Sequence, residues 1–525
     1  MLVDNAIILA AGFGSRFVPL TFTTPKGLIP VKGTPMIERQ IRQLKEKGIT
    51  EIIIVVGYMK EKFDYLIDKY GVKLIYNPEY ATKNNLASLY CALEYLKNTY
   101  ILSADNWIED NIFSSGESKS WYSCVYKAGH SSEWCVQYDA AGRIYDIAIG
   151  GGNAWVMYGP VFFNTQFSKT IAPKIEEYYK KSGTADWFWE DVFIKEIDTL
   201  DLYIRKETEN NVYEFENLEE LRAFDPEFGN NTQNHCLSII AHVFNVKEEE
   251  ITGIKNIKSG MTNKTFRFSV NTDTYLFRLP GEGTEKLIDR KREKLAYCLI
   301  KPLDISDEIV YFDDAGYKIT KYYEGAINTN AGNSDDVRAS MDLLRSFHNS
   351  KIIANFSFDI EQEINRYMHL CEERDCVRFT DYMETYNNMK HIATLINKLD
   401  TPRTLCHIDV NPDNFIKLSN NSIKLIDWEY AGMADPLLDI AMYAIYSYYS
   451  KKQADELLRV YLQRKADTTE IIRLYAYMSL GGYLWALWTE YKQSFGIEFG
   501  DYGMKMYRYA RDYYHYCINA LTETA

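Results

Sequence analysis

The sequence predicts an α/β protein of two domains, a doubly wound sheet domain followed by an α+β domain of two lobes. Three observations carry this. At 525 residues the chain exceeds the size at which one core keeps growing. From Ala6 to Ser103 short apolar, β-branched runs alternate with helical periods, the pattern of a parallel sheet covered on both faces. From His235 onward a helix, a run of short strands and then long helical stretches follow one another instead. The polar stretch Gly229-Asn230-Asn231-Thr232-Gln233-Asn234 separates the two, giving domains 1–229 and 230–525, the latter with lobes of about 235–325 and 326–525.

Ala6–Ala10 is apolar and stops at Ala11-Gly12-Phe13-Gly14-Ser15-Arg16, a strand feeding a small-residue loop. Ile37, Ile41 and Leu44 mark a helix over Met36–Lys47 that Gly48 ends. Ile52–Val56 reads as a buried strand, Phe63–Tyr70 as helix, Val72–Tyr76 as strand, Ser88–Leu96 as helix and Tyr100–Ser103 as strand. Ligands in such sheets sit at the carboxyl ends of the strands. That places the Gly12/Gly14 loop and Ala104-Asp105-Asn106 at a site. Gly12 and Gly14 let backbone approach a ligand, loop N–H groups can hold an anion, and Arg16 and Lys26 add fixed positive charge. Asp105 offers the hard oxygen that Mg²⁺ prefers. Asn84-Asn85 reads equally as a helix cap or as a contact to a base or acceptor.

Net charge is −14, against nucleic acid or anionic membranes as partners. Nine scattered cysteines, with no C-x-x-C and no zinc spacing, suggest reduced thiols and a cytoplasmic home. No apolar stretch approaches the ~20 residues of a membrane-spanning helix, and no signal peptide is expected. Oligomeric state is not legible.

The run Leu9-Ala10-Ala11-Gly12-x-Gly14-Ser15-Arg16-x₉-Lys26 matches the signature of sugar-phosphate-type nucleotidyltransferases. With PK-x-L-x-P-V, GYMKEKFDYL and NPEYATKNNLASLY, residues 1–229 resemble the bacterial choline-phosphate cytidylyltransferases of cell-surface phosphocholine decoration. The tail Tyr213–Phe228 also resembles theirs. The resemblance implies a Rossmann-like nucleotidyltransferase domain. Leu9, Ala10, Ala11, Gly12, Gly14, Ser15 and Asn85 would bind CTP, Lys26 and Arg16 would act on the phosphates, and Asp105 with Asp191 would hold Mg²⁺, Glu190 being the nearest competitor. Five of nine tryptophans fall between Trp121 and Trp189, beside Glu133, Asp186 and Glu190. Tryptophan faces attract a cation by ~0.5–2 kcal/mol each, and quaternary ammonium groups suit them best. Trp134, with Trp187 and Trp189, is expected to cage choline.

In the second half Ser259-Gly260-Met261-Thr262-Asn263 is a polar turn between strands, and Arg278 lies on the strand after it. Protein-kinase-like folds place their phosphate-covering loop and strand cation this way. Glu293 is the candidate ion-pair partner, and Thr320–Gly325, with Tyr322, reads as the hinge between lobes. Cys406–Asn414 contains H-x-D-x₄-N, and Asp427 follows on a strand end in IKLIDWE. That spacing matches the kinase catalytic loop and metal-binding aspartate. Asp409 would take or orient the substrate hydroxyl proton, and Asn414 and Asp427 would hold Mg²⁺ on ATP. Asp439 would brace the loop or cap a helix. Trp485 and Trp488 share one helix face. A W-x-x-W here resembles choline kinases, which implies an ammonium box, with Glu429 in support. Ser259, Gly260, Thr262, Asn263, Arg278, Glu293 and Tyr322 make up the expected ATP site.

Together the halves imply a bifunctional enzyme making phosphocholine from choline and ATP, then CDP-choline from phosphocholine and CTP. The alternatives are the same folds acting on ethanolamine, phosphoethanolamine or 2-aminoethylphosphonate, or a nucleotide-binding sensor or scaffold with one inactive domain.

Overall fold

The computed structural model describes residues 1–208, 210–257, 263–281, 288–496 and 499–522. The chain splits into two compact units, Met1–Gly260 with Lys264–Thr274, and Met261–Asn263 with Tyr275–Ala525.

The first unit is built on a seven-stranded sheet. Its order is Tyr203–Glu207, Trp121–Tyr138, Ile144–Phe163, Thr99–Ser103, Asn5–Ala10, Ile52–Val56 and Lys73–Tyr76. Asn5–Ala10 is central and parallel to both neighbours, with Leu9 opposite Val55 on one side and Ser103 on the other. Alternate side chains enter different cores, as the two-residue period of a strand requires. Ile7 joins Ile53, Val55 and Ile101 with the Thr165–Tyr179 and Trp189–Lys195 helices. Ala6 and Ile8 join Ile52, Ile54 and Leu102 with the Met36–Glu46 helix. The doubly covered sheet expected from the sequence is therefore present, but it is mixed rather than wholly parallel. Trp121–Tyr138 and Ile144–Phe163, of 18 and 20 residues, pair antiparallel. The short link between them leaves no room for the crossover that parallel neighbours need.

The sequence boundary at 229/230 falls inside the first compact unit. Arg222 Nη1 and Nη2 donate to the carbonyls of Ile251 (2.7 Å) and Glu248 (2.9 Å), tying Leu218–Phe224 to the segment beyond the polar linker. Ile251–Ile257 then pairs antiparallel with the following strand, Ile251 opposite Val270.

In the second unit Lys318–Lys321 lies antiparallel to Tyr275–Arg278 and to Ile309–Phe312. The remainder is largely helical, around one core centred on the 26-residue helix Thr468–Gln493, which is buried on nearly every face. Gly482 allows this: a Cβ there would lie 2.6 Å from the Met506 carbonyl oxygen of Tyr502–Thr522. Two short antiparallel pairs, Thr404–Cys406 with Gly432–Ala434 and Phe415–Lys417 with Ile423–Leu425, frame the polar loops. Among the described residues no helix is long and apolar enough to cross a membrane.

Candidate active sites

The ends of the parallel strands in the first unit open onto a cavity of about 510 Å³. Its wall includes Leu9, Ala10, Ala11, Gly12, Gly14, Ser15 and Arg16, together with Lys26, Asn84, Asn85 and Asp105. The Ala104 N–H donates to the Leu9 carbonyl (3.0 Å), so the glycine loop and the Asp105 turn leave the sheet side by side. Gly14 has φ 68°, a left-handed conformation that suits glycine, and a Cβ there would meet Lys26 Cβ at 3.1 Å. Lys26 Nζ bridges Asp105 Oδ2 (2.6 Å) and the Phe215 carbonyl (2.8 Å). Arg16 pairs with Glu216, which also lines the cavity. Asn106 Nδ2 donates to Glu214 Oε2 (3.2 Å). Burial, and then the Asp105 charge, push the Glu214 carboxyl up to about 7.

Asn84 and Asn85 do more than line this wall. Asn84 Oδ1 accepts from the Asn85 N–H, capping Asn85–Cys91, and Asn85 Oδ1 accepts from the Trp189 N–H at 2.9 Å. That bond seats Trp189–Lys195 behind the cavity. Asp191 is not among the lining residues: its Oδ2 accepts from the Phe188 N–H (2.8 Å) and closes the helix start. Its competitor Glu190 is buried, and accepts from the Tyr122 hydroxyl at 3.1 Å. Burial pushes the Glu190 carboxyl up to about 8.

The three expected cage tryptophans occupy different surroundings. Trp134 is half-buried and meets Phe188 edge-on, centroids 5.7 Å apart at 86°. Trp187 stacks on Tyr178 at 5.2 Å. Trp189 is only 2% exposed, stacked on Tyr122 and set edge-on to Phe163. Its surface is taken by the core, which corrects its expected place in a cage.

In the second unit five charged side chains interlock. Arg278 Nη2 lies 2.6 Å from Glu293 Oε1 and its Nη1 2.9 Å from Asp427 Oδ1. Arg290 Nη1 reaches Glu293 Oε2 (2.8 Å) and Glu429 Oε2 (3.0 Å), and Asn263 Nδ2 also donates to Glu429 (3.1 Å). Glu429 thus belongs to this network rather than to the Trp485/Trp488 cluster where it was expected; burial, then Asp427, push its carboxyl up to about 8 although Arg278 and Arg290 oppose them. Burial disfavours the charged form of Asp427, but Arg278 and then Lys318 outweigh it and hold its carboxyl low. Asp427 sits at φ 67° just after the Ile423–Leu425 strand. Tyr322 is half-buried beyond the Lys318–Lys321 strand. Ser259, Gly260 and Thr262 lie outside the described residues.

Asp409 is held by Asn414, whose Nδ2 donates to its carbonyl (2.7 Å) and to Oδ2 (3.0 Å). Burial pushes its carboxyl up to about 6. Asp439 braces the same loop: Oδ2 accepts from the His407 N–H (2.9 Å) and Oδ1 from the Ile408 N–H (2.7 Å). His348 Nε2 supports Asp439 Oδ2 at 2.9 Å. Trp485 and Trp488 are both 4% exposed, at right angles with centroids 6.1 Å apart. Tyr430 and Tyr446 pack on Trp485, and Phe499 on Trp488.

A profile of MobA-like NTP transferase domains matches residues 6–106, and one of choline/ethanolamine kinases matches residues 254–511. The chain is 39% identical over 221 residues to a choline-phosphate cytidylyltransferase of Streptococcus pneumoniae, covering 42% of this chain and 96% of that protein. A 2-aminoethylphosphonate cytidylyltransferase of Lancefieldella rimae is 42% identical over 225 residues, 42% of this chain and 92% of that protein. Protein LicA of Haemophilus influenzae is 30% identical over 258 residues, 47% of this chain and 75% of that protein. The chain belongs to a cytidylyltransferase family in its first part and to the choline/ethanolamine kinases in its second. Both are enzyme families, a nucleotidyltransferase and a phosphotransferase.

In the cytidylyltransferase part, sequence reasoning missed Glu214 and favoured Trp187 and Trp189 over Phe188 between them. Phe188 sits between two tryptophans, and the strand that carries Glu214, Val212–Glu214, is brought beside Asn106–Ile108 by antiparallel pairing and by the Tyr158 hydroxyl. In the kinase part it missed Arg290, Lys318 and Tyr446. Tyr446 stands seven residues after Asp439, a spacing that two helical turns would have flagged.

Proposed function

We propose that the chain makes CDP-choline in two steps. The kinase part phosphorylates choline from ATP, and the cytidylyltransferase part joins the phosphocholine to CTP and releases pyrophosphate. The observation that carries this is the pairing within one chain of a choline/ethanolamine kinase with a transferase that covers 96% of a phosphocholine-using relative. The product of one is the acceptor of the other. On this reading the functional boundary is 229/230. All nine cysteines are free, which supports a reducing, cytoplasmic setting.

In the first step Asp409 takes the hydroxyl proton as the choline oxygen attacks the γ-phosphorus of ATP, and the bond to ADP breaks. Its partner Asn414 keeps one carboxylate edge turned to the alcohol. The Arg278–Glu293 pair keeps a cation fixed beside Asp427 for the phosphates. In the second step a phosphate oxygen of phosphocholine attacks the α-phosphorus of CTP in line. The loop from Leu9 to Arg16 cradles base and phosphates, and Lys26 places its charge on the transferring group.

Mg²⁺ fits both sites by donor chemistry, and when bound it neutralises phosphate charge. Asn414 spends its amide nitrogen on Asp409, which leaves its carbonyl oxygen for a hard cation alongside Asp427. In the first site Asp105 supplies the hard oxygen, and Glu214, held by Asn106 next to it in sequence, is the second carboxylate whose charge couples to it.

Trp134 against Phe188 provides aromatic faces for a trimethylammonium group. Trp485 and Trp488, both packed among Tyr430, Tyr446 and Phe499, are assigned to the kinase head group by their place in the choline/ethanolamine kinase match, not by an open face. Primary amines prefer hydrogen-bonding carboxylates. The 42% identity to a 2-aminoethylphosphonate enzyme makes that acceptor the second reading for the first part. A substrate panel decides: choline and ethanolamine with ATP, then phosphocholine, phosphoethanolamine and 2-aminoethylphosphonate with CTP. Faster turnover of the primary amines overturns the choline assignment.

A further inference from the structure

The peptide bond joining Ile426 to Asp427 is held at both ends by side chains from different parts of the kinase fold. His407 Nε2 lies 2.9 Å from the Ile426 carbonyl oxygen, and the Asp427 N–H donates to the Tyr297 hydroxyl at 3.3 Å. Asp427 has φ 67°, a left-handed conformation that a residue other than glycine keeps only where its surroundings enforce it. Turning this peptide would swing away the carboxylate that stands 2.9 Å from Arg278 Nη1.

Tyr297 lies one turn after Glu293 on the helix Arg290–Ile300, so both side chains leave the same face. Glu293 Oε1 takes Arg278 Nη2 at 2.6 Å. One helix therefore holds the cation through Glu293 and the backbone of its anionic partner through Tyr297. The Tyr297 oxygen is itself fixed. Lys318 Nζ donates to it at 2.7 Å, and Lys318 is the cross-strand partner of Arg278, which sets the two cations side by side. Glu293 and Asp307 lie 3.7 and 3.8 Å from the same ammonium. Phe312 meets the Tyr297 ring edge-on, centroids 6.1 Å apart at 83°. Tyr297 and Lys318 are both buried, which keeps water from replacing either bond.

We propose that Tyr297 is a positioning residue of the kinase reaction, its hydroxyl holding the Ile426–Asp427 peptide so that the Asp427 carboxylate keeps its place beside Arg278 for the metal-bound phosphates of ATP. The inference rests on the reading of Asp427 as a metal-holding residue.

The test uses the full chain and three variants, Tyr297→Phe, Phe312→Leu and Asp427→Asn. Choline phosphorylation is followed for kcat, for KM and for the Mg²⁺ concentration that gives half the maximal rate. Calorimetry reads ADP affinity with Mg²⁺ and with a chelator in its place. Removing the Tyr297 hydroxyl should lower kcat about tenfold, the worth of one buried hydrogen bond, and raise the Mg²⁺ requirement about fivefold or more. ADP affinity should fall by a similar factor with Mg²⁺ present, while metal-free ADP affinity and KM for choline stay within about twofold. Phe312→Leu loosens the ring but keeps the hydroxyl, so it should lower the melting temperature and leave the Mg²⁺ requirement within about twofold. The proposal is overturned if the Mg²⁺ requirement of Tyr297→Phe stays within about twofold of the parent, if its metal-free ADP affinity falls as far as that with Mg²⁺, or if Phe312→Leu shifts the Mg²⁺ requirement equally. An Asp427→Asn that binds ADP with Mg²⁺ as tightly as the parent would instead remove the underlying assignment, so the two failures are distinguishable.

Discussion

Lys26 Nζ stands 2.6 Å from Asp105 Oδ2, 79 positions away in sequence. The ammonium is also anchored by the Phe215 carbonyl. A cation held this way needs little reorganisation to meet a developing phosphate charge. Lys26→Met should lower kcat/KM for cytidylyl transfer by about 10²–10³, the range for losing one preorganised electrostatic group, with choline phosphorylation unchanged. Steady-state assays of the two reactions on one preparation check this, and equal losses in both would refute separate sites.

Asp105→Asn and Asp409→Asn should act as opposites. In one reaction with choline, ATP, CTP and Mg²⁺, the first variant should accumulate phosphocholine without CDP-choline. The second should make neither from choline, yet make CDP-choline when phosphocholine is supplied. Product chromatography over time reads both, and CDP-choline formed from choline by Asp409→Asn would contradict the assignment.

Trp134 and Trp189 should separate binding from stability. Trp189→Ala empties a core position bounded by Tyr122 and Phe163 and should cost about 3–5 kcal/mol of stability. Trp134→Leu should leave the melting temperature nearly unchanged and raise KM for phosphocholine about tenfold, the loss of one aromatic face to a desolvated cation. Thermal scans with initial-rate kinetics test the pair; a KM unmoved in Trp134→Leu would remove it from the acceptor site.

Glu190 should leave a pH signature. Its carboxyl is pushed up to about 8 by burial, so between its ordinary range and pH 8 the folded state holds a proton that the unfolded chain has lost. Stability from this group is full at low pH and declines as pH rises towards 8. Glu190→Gln should therefore be more stable than the parent at pH 9, with the difference shrinking towards pH 5. Melting temperatures across that range decide, and parallel curves would show that Glu190 does not titrate there.

The phosphate loop and the kinase loop were legible because their chemistry is local. Gly14, Lys26 and Asp105 meet wherever the first strand lies parallel to the fourth-ranked apolar run, and alternating strands and helices imply that pairing. H-x-D-x₄-N places Asn414 on Asp409 within one turn of chain. The cage was less legible. Trp187, Phe188 and Trp189 are consecutive, and composition cannot say which faces outward. Phe188 is the extended residue before Trp189–Lys195, at φ −83° and ψ 159°, so it meets Trp134 while the next ring turns into the core. Glu429 was misplaced for a similar reason: its partners Arg290 and Asn263 are 139 and 166 positions away.

By itself the sequence determined the two fold classes and placed the Gly12/Gly14 loop, the H-x-D-x₄-N loop and the acidic residues at the strand ends, because spacing along a strand or within a turn sets those positions directly. Only the tertiary structure decided which tryptophan is core and which carboxylates pair with arginine. Those outcomes depend on side-chain direction and on partners distant in sequence, and packing selects both only once the elements have met.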